Sequence, residues 1–185
     1  MDNLILWNDY TLALSKAVKS INQKDINKLV NLIEKQIDSD NSVFIVGNGG
    51  SAYTASHFIT DWCKMANVIK GKKLKSYSLA DNVGMLTAYG NDLDYKKVFS
   101  EQLISYARND DLLIVISGSG NSPNIIEAIE TSKKIGMATF GLLGFKGGLA
   151  GNLLEFKIIV DSDDMQIIED VHLSIGHNVM KRLCQ

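Results

Sequence analysis

Residues 43–51 read Val43-Phe44-Ile45-Val46-Gly47-Asn48-Gly49-Gly50-Ser51. A short, continuous apolar run is typical of a strand that is buried on both faces, and the glycines after it indicate a tight turn. From about Ser51 to Met65 the apolar residues recur at helical spacing, so a helix follows the turn. A strand, a polar loop and a helix in this order form the unit from which parallel α/β sheets are built.

The same unit returns where residues 113–122 read Leu113-Ile114-Val115-Ile116-Ser117-Gly118-Ser119-Gly120-Asn121-Ser122. Ser122 before Pro123 marks a helix start, because serine caps a helix and proline fits its first position. The apolar pattern predicts strands at about 43–46, 74–78, 112–116, 138–143 and 156–160. It predicts helices at about 51–65, 83–89, 95–107, 123–135 and 166–183, and a helical pair at about 4–22 and 24–39. The glycines at 147–148 are predicted to form only a turn. We therefore expect an α/β fold, a three-layer sandwich with a five-stranded parallel sheet, preceded by two helices.

The composition limits the class of protein. A chain of 185 residues with 45% hydrophobic residues suits a single domain over 1–185. With 19 Lys plus Arg against 21 Asp plus Glu and no basic patch, nucleic acid is not an expected partner. The two cysteines form no ligand-like pair, which favours a reducing compartment. The start Met1-Asp2-Asn3-Leu4 has no basic leader and no stretch has the length of a membrane span, so we expect a cytoplasmic protein without membrane contact.

The two loops after the strands have the composition of an anion site. Ligands bind at the carboxyl ends of the strands in an open parallel sheet, so the loops face one crevice if their strands are neighbours. Gly118 and Gly120 let backbone N–H groups approach an anion, and the start of the next helix favours negative charge. The loops also supply hydroxyls from Ser51, Ser117, Ser119 and Ser122. With the Asn48 amide, which suits sugar hydroxyls, they predict a phosphorylated sugar as ligand. Ordinary tight turns remain the alternative.

A nucleotide cofactor is not expected. The spacing Gly47-x-Gly49-x-x-Ala52 satisfies the loose dinucleotide pattern, but the acidic residue that should end the next strand is missing. The first acid after that strand is Asp81. No P-loop motif occurs either, which excludes P-loop nucleotide hydrolysis.

All three histidines lie near carboxylates on predicted helices. His57 and Asp61 are four residues apart and share a helix face, either as site residues or as a surface ion pair. In the last helix, Glu169 precedes His172 and His177, and His172 alone could be a packing residue. From Glu169 to His177 a helix advances about 12 Å. If both serve one site, they lie at its opposite ends or the site is shared between subunits.

A third polar segment, Asn91-Asp92, follows Gly90. It either ends a helix as a cap and turn or belongs to a loop that covers the crevice. The sequence leaves both interpretations open.

Taken together, these motifs resemble the sugar isomerase (SIS) domain family, and within it the phosphoheptose isomerase group. The resemblance covers nearly the whole chain. It rests on residues 47–51, His57-Phe58, Gly90-Asn91-Asp92, residues 116–122 and the segment from Glu169 to His177. It implies the SIS fold and a homotetramer with active sites at subunit contacts, in which the helical pair at 1–40 joins the subunits and 41–185 forms the α/β core.

The resemblance also implies roles for individual residues. The family's substrate contacts carry over to Asn48, Gly49, Gly50, Ser51, Asp61, Asn91, Asp92, Ser117, Gly118, Ser119, Ser122 and Glu169. Its metal positions carry over to His57, Asp61, Glu169 and His177, which together suit a divalent metal such as zinc. Three positions depart from the best-known members, which have Glu, Gln and Thr where this chain has Asp61, Glu169 and Gly118. Because Asp is one methylene shorter than Glu, a base at Asp61 would sit about 1 Å back.

The implied activity is the isomerisation of sedoheptulose 7-phosphate to a heptose 7-phosphate for envelope or capsule glycans. In our hypothesis Asp61 is the catalytic base and His177 the acid/base, with a metal or serine and backbone donors stabilising the enediolate. Two alternatives stay open, an isomerase of another ketose phosphate and a non-catalytic sugar-phosphate sensor or assembly protein. The retained histidines and carboxylates favour an enzyme.

Overall fold

The fold was described from a computed structural model, which covers residues 6–185. Eight α-helices lie in this part of the chain: α1 (Trp7–Ser20), α2 (Gln23–Asp38), α3 (Gly50–Lys70), α4 (Val83–Asp92), α5 (Ser100–Tyr106), α6 (Pro123–Ile135), α7 (Gly148–Leu153) and α8 (Met165–Leu183). A short 3-10 turn, Tyr95–Lys97, lies between α4 and α5. The strands are β1 (Ser42–Gly47), β2 (Lys75–Ser78), β3 (Leu112–Ser117), β4 (Ala138–Leu143) and β5 (Phe156–Ile159).

The five strands form one parallel sheet in the order β2-β1-β3-β4-β5. This confirms the predicted five-stranded parallel sheet. β1 and β3 are neighbours, with Gly47 paired with Ile116. The loops that follow these two strands therefore leave the sheet side by side, as the two polar loops require if they serve one crevice.

Apolar clusters cover both faces of the sheet. One cluster joins the sheet to α2, α3 and α8 and includes Leu29, Phe58 and Val171. The other joins it to α5, α6 and α7 and includes Leu103 and Ile129. The arrangement is the expected three-layer sandwich, and α1 packs mainly on α8 at the outside.

The element bounds differ from the sequence prediction at several points. α3 continues to Lys70, five residues beyond its predicted end at about 65. The helix predicted from 83 to 89 continues to Asp92, and the helix predicted at 95–107 is divided into the 3-10 turn and α5. The prediction of only a turn at 147–148 was wrong, because Gly147 is the N-cap of α7, with the φ of 85° that favours glycine. The predicted start of the first helix at Leu4 lies outside the described residues.

None of the helices within residues 6–185 combines the length and the apolar character needed to cross a bilayer.

Candidate active site

The first loop, residues 47–51, turns the chain sharply from β1 into α3. Gly49 is the N-cap of α3 with a φ of 54° and a ψ of −122°, a conformation that glycine adopts without strain. Gly47 must also be glycine, because a Cβ there would overlap the backbone of Ser51. The N–H groups of a first helical turn have no partner inside the helix. The Ser51 and Ala52 N–H groups donate to the Asn48 and Gly49 carbonyls at 3.0 and 3.1 Å, so the N–H groups open to a ligand are those of the exposed Gly49 and Gly50.

The second loop, residues 117–122, joins β3 to α6. Backbone hydrogen bonds within the loop hold two of its hydroxyl groups in place. The Ser117 Oγ accepts a hydrogen bond from the Gly120 N–H at 3.1 Å, and the Ser119 Oγ accepts one from the Asn121 N–H at 3.3 Å. Each hydroxyl thus keeps its proton for a ligand. Ser122 is the N-cap of α6, as predicted, but its side chain makes no capping bond. Its hydroxyl is therefore also available at the positive end of the helix.

The two loops are joined directly by a pair of side-chain amides. Asn48 at the end of β1 and Asn124 in the first turn of α6 exchange two hydrogen bonds of 2.9 and 2.8 Å. Asn124 is 2% exposed. The loops therefore lie side by side and form one connected surface of backbone N–H groups, hydroxyls and an amide.

A cluster of two histidines and a carboxylate lies further along α3. The Nε2 atoms of His57 and His177 are 2.9 Å apart, and the Asp61 Oδ2 lies 3.4 Å from His57 and 3.9 Å from His177. The side chains of the two histidines are 44% and 46% exposed and that of Asp61 is 27% exposed. His57 and Asp61 share a helix face as expected, and α8 supplies the third member of the cluster.

A close contact between α3 and α8 brings the histidines together. Phe58 follows His57, Gly176 precedes His177, and a Cβ at Gly176 would overlap the Phe58 ring. The Trp62 Nε1–H donates a hydrogen bond to the Gly176 carbonyl at 3.0 Å. The helices can approach this closely only because position 176 has no side chain. Sequence analysis did not single out Gly176, since a lone glycine within a helical pattern does not show what it faces.

The donor set of the cluster fits a divalent metal. The nearest ring nitrogens and a carboxylate oxygen of His57, Asp61 and His177 lie within 4.8 Å of one another. Zinc bound tetrahedrally at about 2.0–2.1 Å needs ligand atoms about 3.3 Å apart, so the observed separations require only small side-chain adjustments. Imidazole and carboxylate are ligands that zinc accepts. The three side chains therefore form a group that could hold a metal ion through two imidazoles and a carboxylate.

Glu169, the fourth residue of the predicted metal set, lies outside this cluster. A Cβ built on Gly50 would lie 2.8 Å from the Glu169 Oε1, so the carboxylate lies over the start of α3. His177, two turns later on α8, contacts His57 instead. The two side chains therefore lie at opposite ends of the first two turns of α3, as the helix geometry predicts.

His172 is buried and takes no part in the cluster. It is 0% exposed, and its Nε2 lies 3.2 Å from the Leu143 carbonyl oxygen at the end of β4. Burial lowers the pKa of His172 to about 4. It is therefore a neutral packing residue at ordinary pH, in agreement with the interpretation of His172 as a packing histidine.

Asn91 and Asp92 are the last two residues of α4 and are exposed. The Asn91 Nδ2 donates to the Asp92 Oδ1 at 2.8 Å, and no hydrogen bond within residues 6–185 joins either side chain to the two loops. The segment that follows does approach the first loop, because the Tyr95 hydroxyl lies 3.4 Å from the Asn48 Oδ1. The helix end lies within three residues of that contact.

The structure adds two residues that no sequence motif singles out, Asn124 and Tyr95. Asn124 lies directly after the helix-start signal Ser122-Pro123, where an asparagine would attract no notice. Tyr95 belongs to a segment predicted as plain helix. Both become visible only when the neighbouring strands bring the first loop beside them.

A large cavity lies away from the two loops and from the histidine cluster. It has a volume of about 1050 Å³ and runs along the free edge of β2, where Tyr77, Ser78 and Asp81 line it. None of the predicted site residues lines this cavity. Its position follows from the strand order, which leaves β2 without a neighbour on that side.

Comparison with known proteins gives consistent results. Residues 6–144 match the SIS domain family. The chain is 36% identical over 165 residues to the phosphoheptose isomerase of Helicobacter pylori strain P12, covering 89% of this chain and 85% of that protein. It is 35% identical over 156 residues to the phosphoheptose isomerase of Clostridium acetobutylicum, covering 84% of this chain and 79% of that protein.

A solved structure has a similar fold over nearly its whole length. It is that of a phosphoheptose isomerase from Francisella tularensis, with a TM-score of 0.89 and 26% sequence identity. The match covers 99% of this chain and 98% of that one.

Proposed function

This chain belongs to the SIS domain family and to its phosphoheptose isomerases, and from that premise we propose that it converts sedoheptulose 7-phosphate to D-glycero-D-manno-heptose 7-phosphate for heptose synthesis. The enzyme is an aldose–ketose isomerase that acts on a phosphosugar. The product serves the synthesis of envelope or capsule glycans.

One observation carries this proposal. The two polar loops, 47–51 and 117–122, which we call the phosphate cradle, lie at the start of α3, and the cluster of His57, Asp61 and His177 lies further along the same helix. α3 begins at the first loop, and His57 lies two turns later, about 10 Å along the helix. A seven-carbon chain with its phosphate in the cradle can span that distance and bring its first two carbons to the cluster. The hydroxyls that anchor the phosphate are those of Ser51, Ser117, Ser119 and Ser122.

The cluster has the groups that isomerisation needs. Asp61 as base removes a proton from C1 of the ketose while an acid protonates the oxygen on C2, and a cis-enediol results. The O1 proton is then lost and C2 receives a proton, which leaves an aldehyde at C1 and a hydroxyl at C2. His177, 3.9 Å from Asp61, exchanges the oxygen-bound protons. Backbone N–H groups of the first loop, at the exposed start of α3, stabilise the negative charge of the phosphate at the other end of the substrate.

We assign a divalent metal, zinc, to His57, Asp61 and His177, whose donor atoms lie together, whereas Glu169 lies at the start of α3 and outside this group. Asp61 is then both a ligand and the base. When bound, zinc would polarise the substrate oxygens and stabilise the enediolate. The support is the chemistry and the spacing of the donor atoms described above.

We propose further that 1–185 is a single domain and that the 1–40 helical pair joins subunits into a homotetramer. Ala17 is the one buried residue of the fourteen in α1, while Leu6, Trp7 and Leu12 are 63%, 74% and 69% exposed. A helix with so little burial gains stability if a second copy covers it. We place the enzyme in the cytoplasm, because a charged sugar phosphate does not cross membranes without a carrier.

The second candidate is an isomerase of another ketose phosphate. Asp61 favours it, since a shorter base shifts the reacting carbon that it can reach. A non-catalytic sensor is disfavoured, because a sensor needs no cluster of titratable groups beside its ligand.

The test is isomerisation of sedoheptulose 7-phosphate by the purified protein, followed by NMR of the anomeric protons, with fructose 6-phosphate in parallel. We expect turnover of the heptulose alone and its loss after a chelator, with recovery on addition of zinc. Turnover of the hexulose alone would favour the second candidate. Binding of both without turnover would favour the sensor, and turnover untouched by the chelator would remove the metal from the proposal.

A further inference from the structure

The amide pair between Asn48 and Asn124 connects two parts of the chain that are far apart in sequence. The Asn48 Nδ2 donates to the Asn124 Oδ1 at 2.9 Å, and the Asn124 Nδ2 donates to the Asn48 Oδ1 at 2.8 Å. Seventy-six residues separate them. One amide belongs to the first loop, the other to the first turn of α6, directly after the second loop. The pair is therefore a cross-link between the two halves of the proposed phosphate cradle.

Burial makes this cross-link rigid. Asn124 is 2% exposed and Asn48 is half-buried, so neither amide can exchange its partner for water freely. An amide left without a partner in such surroundings is costly. The Tyr95 hydroxyl also lies near the Asn48 Oδ1, but at 3.4 Å it is a weak second partner. The Asn48 side chain is held in one orientation by Asn124.

Fixing Asn48 fixes the loop around it. The Asn48 carbonyl accepts a hydrogen bond from the Ser51 N–H at 3.0 Å, so its position sets that of the exposed Gly49 and Gly50. Without the cross-link, each loop would have to find its position when the substrate binds.

We propose that Asn124 is a positioning residue of the sugar-phosphate site, acting through Asn48 to preset the distance between the two loops. This inference rests on the proposed function, because it takes the ligand to be a sugar phosphate that touches both loops. Asn124 need not touch the substrate itself. Its effect is to reduce the ordering that binding requires.

The kinetic test is a double-mutant cycle. Asn124→Leu removes both hydrogen bonds with little change in volume, and we expect KM for sedoheptulose 7-phosphate to rise about tenfold with kcat changed less than about threefold. In an Asn48→Ala background the same substitution should have almost no further effect on KM. The matched control is Ser132→Ala, which removes another buried hydrogen bond of α6, to Ile129, away from the loops. It should leave KM unchanged.

An unchanged KM in Asn124→Leu would overturn the inference. So would an equal change in KM when Asn124→Leu is introduced into the wild type and into Asn48→Ala. A second measurement needs no variant. In the wild-type protein, NMR should show hydrogen exchange at the side-chain amides of Asn48 and Asn124 that is at least tenfold slower than at the exposed Asn121. Exchange at the rate of Asn121 would also overturn the inference. If the protein neither binds nor isomerises the heptulose, the proposed function fails, while the exchange rates still decide whether the amide pair exists.

Discussion

His172 and His177 lie on the same helix, one turn and a half apart, and have different environments. The His172 ring is enclosed between α8 and the end of β4, where its Nε2 contacts the Leu143 carbonyl. Its Nδ1 is buried and has no hydrogen-bond partner within the described chain. His177 is half-exposed and contacts His57. The position of a histidine around the helix therefore decides whether its ring packs in the core, as in His172, or lies in the exposed cluster, as in His177.

The buried ring makes stability depend on pH. Burial lowers the pKa of His172 to about 4 from the ordinary value of 6.5. His172 is thus protonated near pH 6.5 in the unfolded chain but only near pH 4 in the folded chain. The free energy of unfolding therefore has its full value above pH 6.5 and falls as the pH drops. The loss should reach roughly 3 kcal/mol at pH 4. Urea unfolding at several pH values between 7.5 and 4 measures it.

His172→Gln is the matched variant for this prediction, because glutamine can still donate to Leu143 but does not titrate in this range. Its stability should fall less steeply with pH than that of the wild type. An equal slope in His172→Gln and the wild type would show that other groups cause the acid sensitivity.

Features that depend only on residues close together in the sequence could be predicted. Ser122 was predicted as an N-cap and is one, because serine followed by proline suits a helix start whatever surrounds it. The His57–Asp61 pair also follows from helical spacing alone. The partner of Asn48 could not be predicted, since it depends on which strands are neighbours. The roles of these residues in catalysis and binding stay predictions.

At the scale of elements, the contact between α3 and α8 is the feature that builds the cluster. Phe58 packs directly against the backbone of Gly176, and Trp62 donates a hydrogen bond to the Gly176 carbonyl. The residues beside this contact, His57 and His177, meet as a result. The packing of the two helices and the geometry of the histidine cluster thus depend on the same glycine.

Gly176→Ala should lower both the stability of the protein and its isomerisation rate. A methyl group at this position has no room beside the Phe58 ring, so the helices must separate or the ring must move. We expect a loss of about 1–3 kcal/mol in the free energy of unfolding, measured with urea. The isomerisation rate should fall as well, because the histidines move apart. Gly151→Ala is the control, since a Cβ there would meet only Leu143, at an ordinary distance of 3.7 Å. Equal stabilities of the Gly176→Ala and Gly151→Ala variants would contradict this account.

The positions of the strands were predictable because each is a buried apolar run, whereas the ends of some helices were not. The segment 95–107 has the composition of one helix but forms a 3-10 turn and α5. The Asp94 carboxylate accepts from the Lys96 N–H at 2.8 Å, and Lys97 pairs with Glu127 of α6, which together fix the turn. Such a division depends on a tertiary contact that periodicity does not reveal.

At the scale of the whole molecule, α1 is the element that the described fold covers least. Trp7 and Leu12 are among its most exposed side chains, and a second copy of the chain would cover them. The sequence could predict the fold class and the family from its motifs. It could not show how subunits meet, because an exposed apolar residue has no distinctive sequence signal.

Leu12→Glu should therefore break the assembly. Placing a charge in an apolar contact between subunits is costly, so we expect the mass to fall from four times the 20.4 kDa of the chain to that of smaller species. Sedimentation velocity measures the change. Ile104→Glu, which changes an apolar residue of α5 that is 60% exposed, should keep the wild-type mass. A wild-type protein of 20.4 kDa would refute the proposed tetramer.

The most direct test of the central claim compares isomerisation of sedoheptulose 7-phosphate by the wild type and by Asp61→Asn, with binding of the sugar phosphate measured in both. We expect the variant to bind the heptulose still, because the phosphate loops are intact, while its turnover falls by about 10²–10⁴-fold. His177→Gln should show the same pattern. Full turnover in Asp61→Asn would contradict the account, since the cluster on α3 would then have no part in moving the proton.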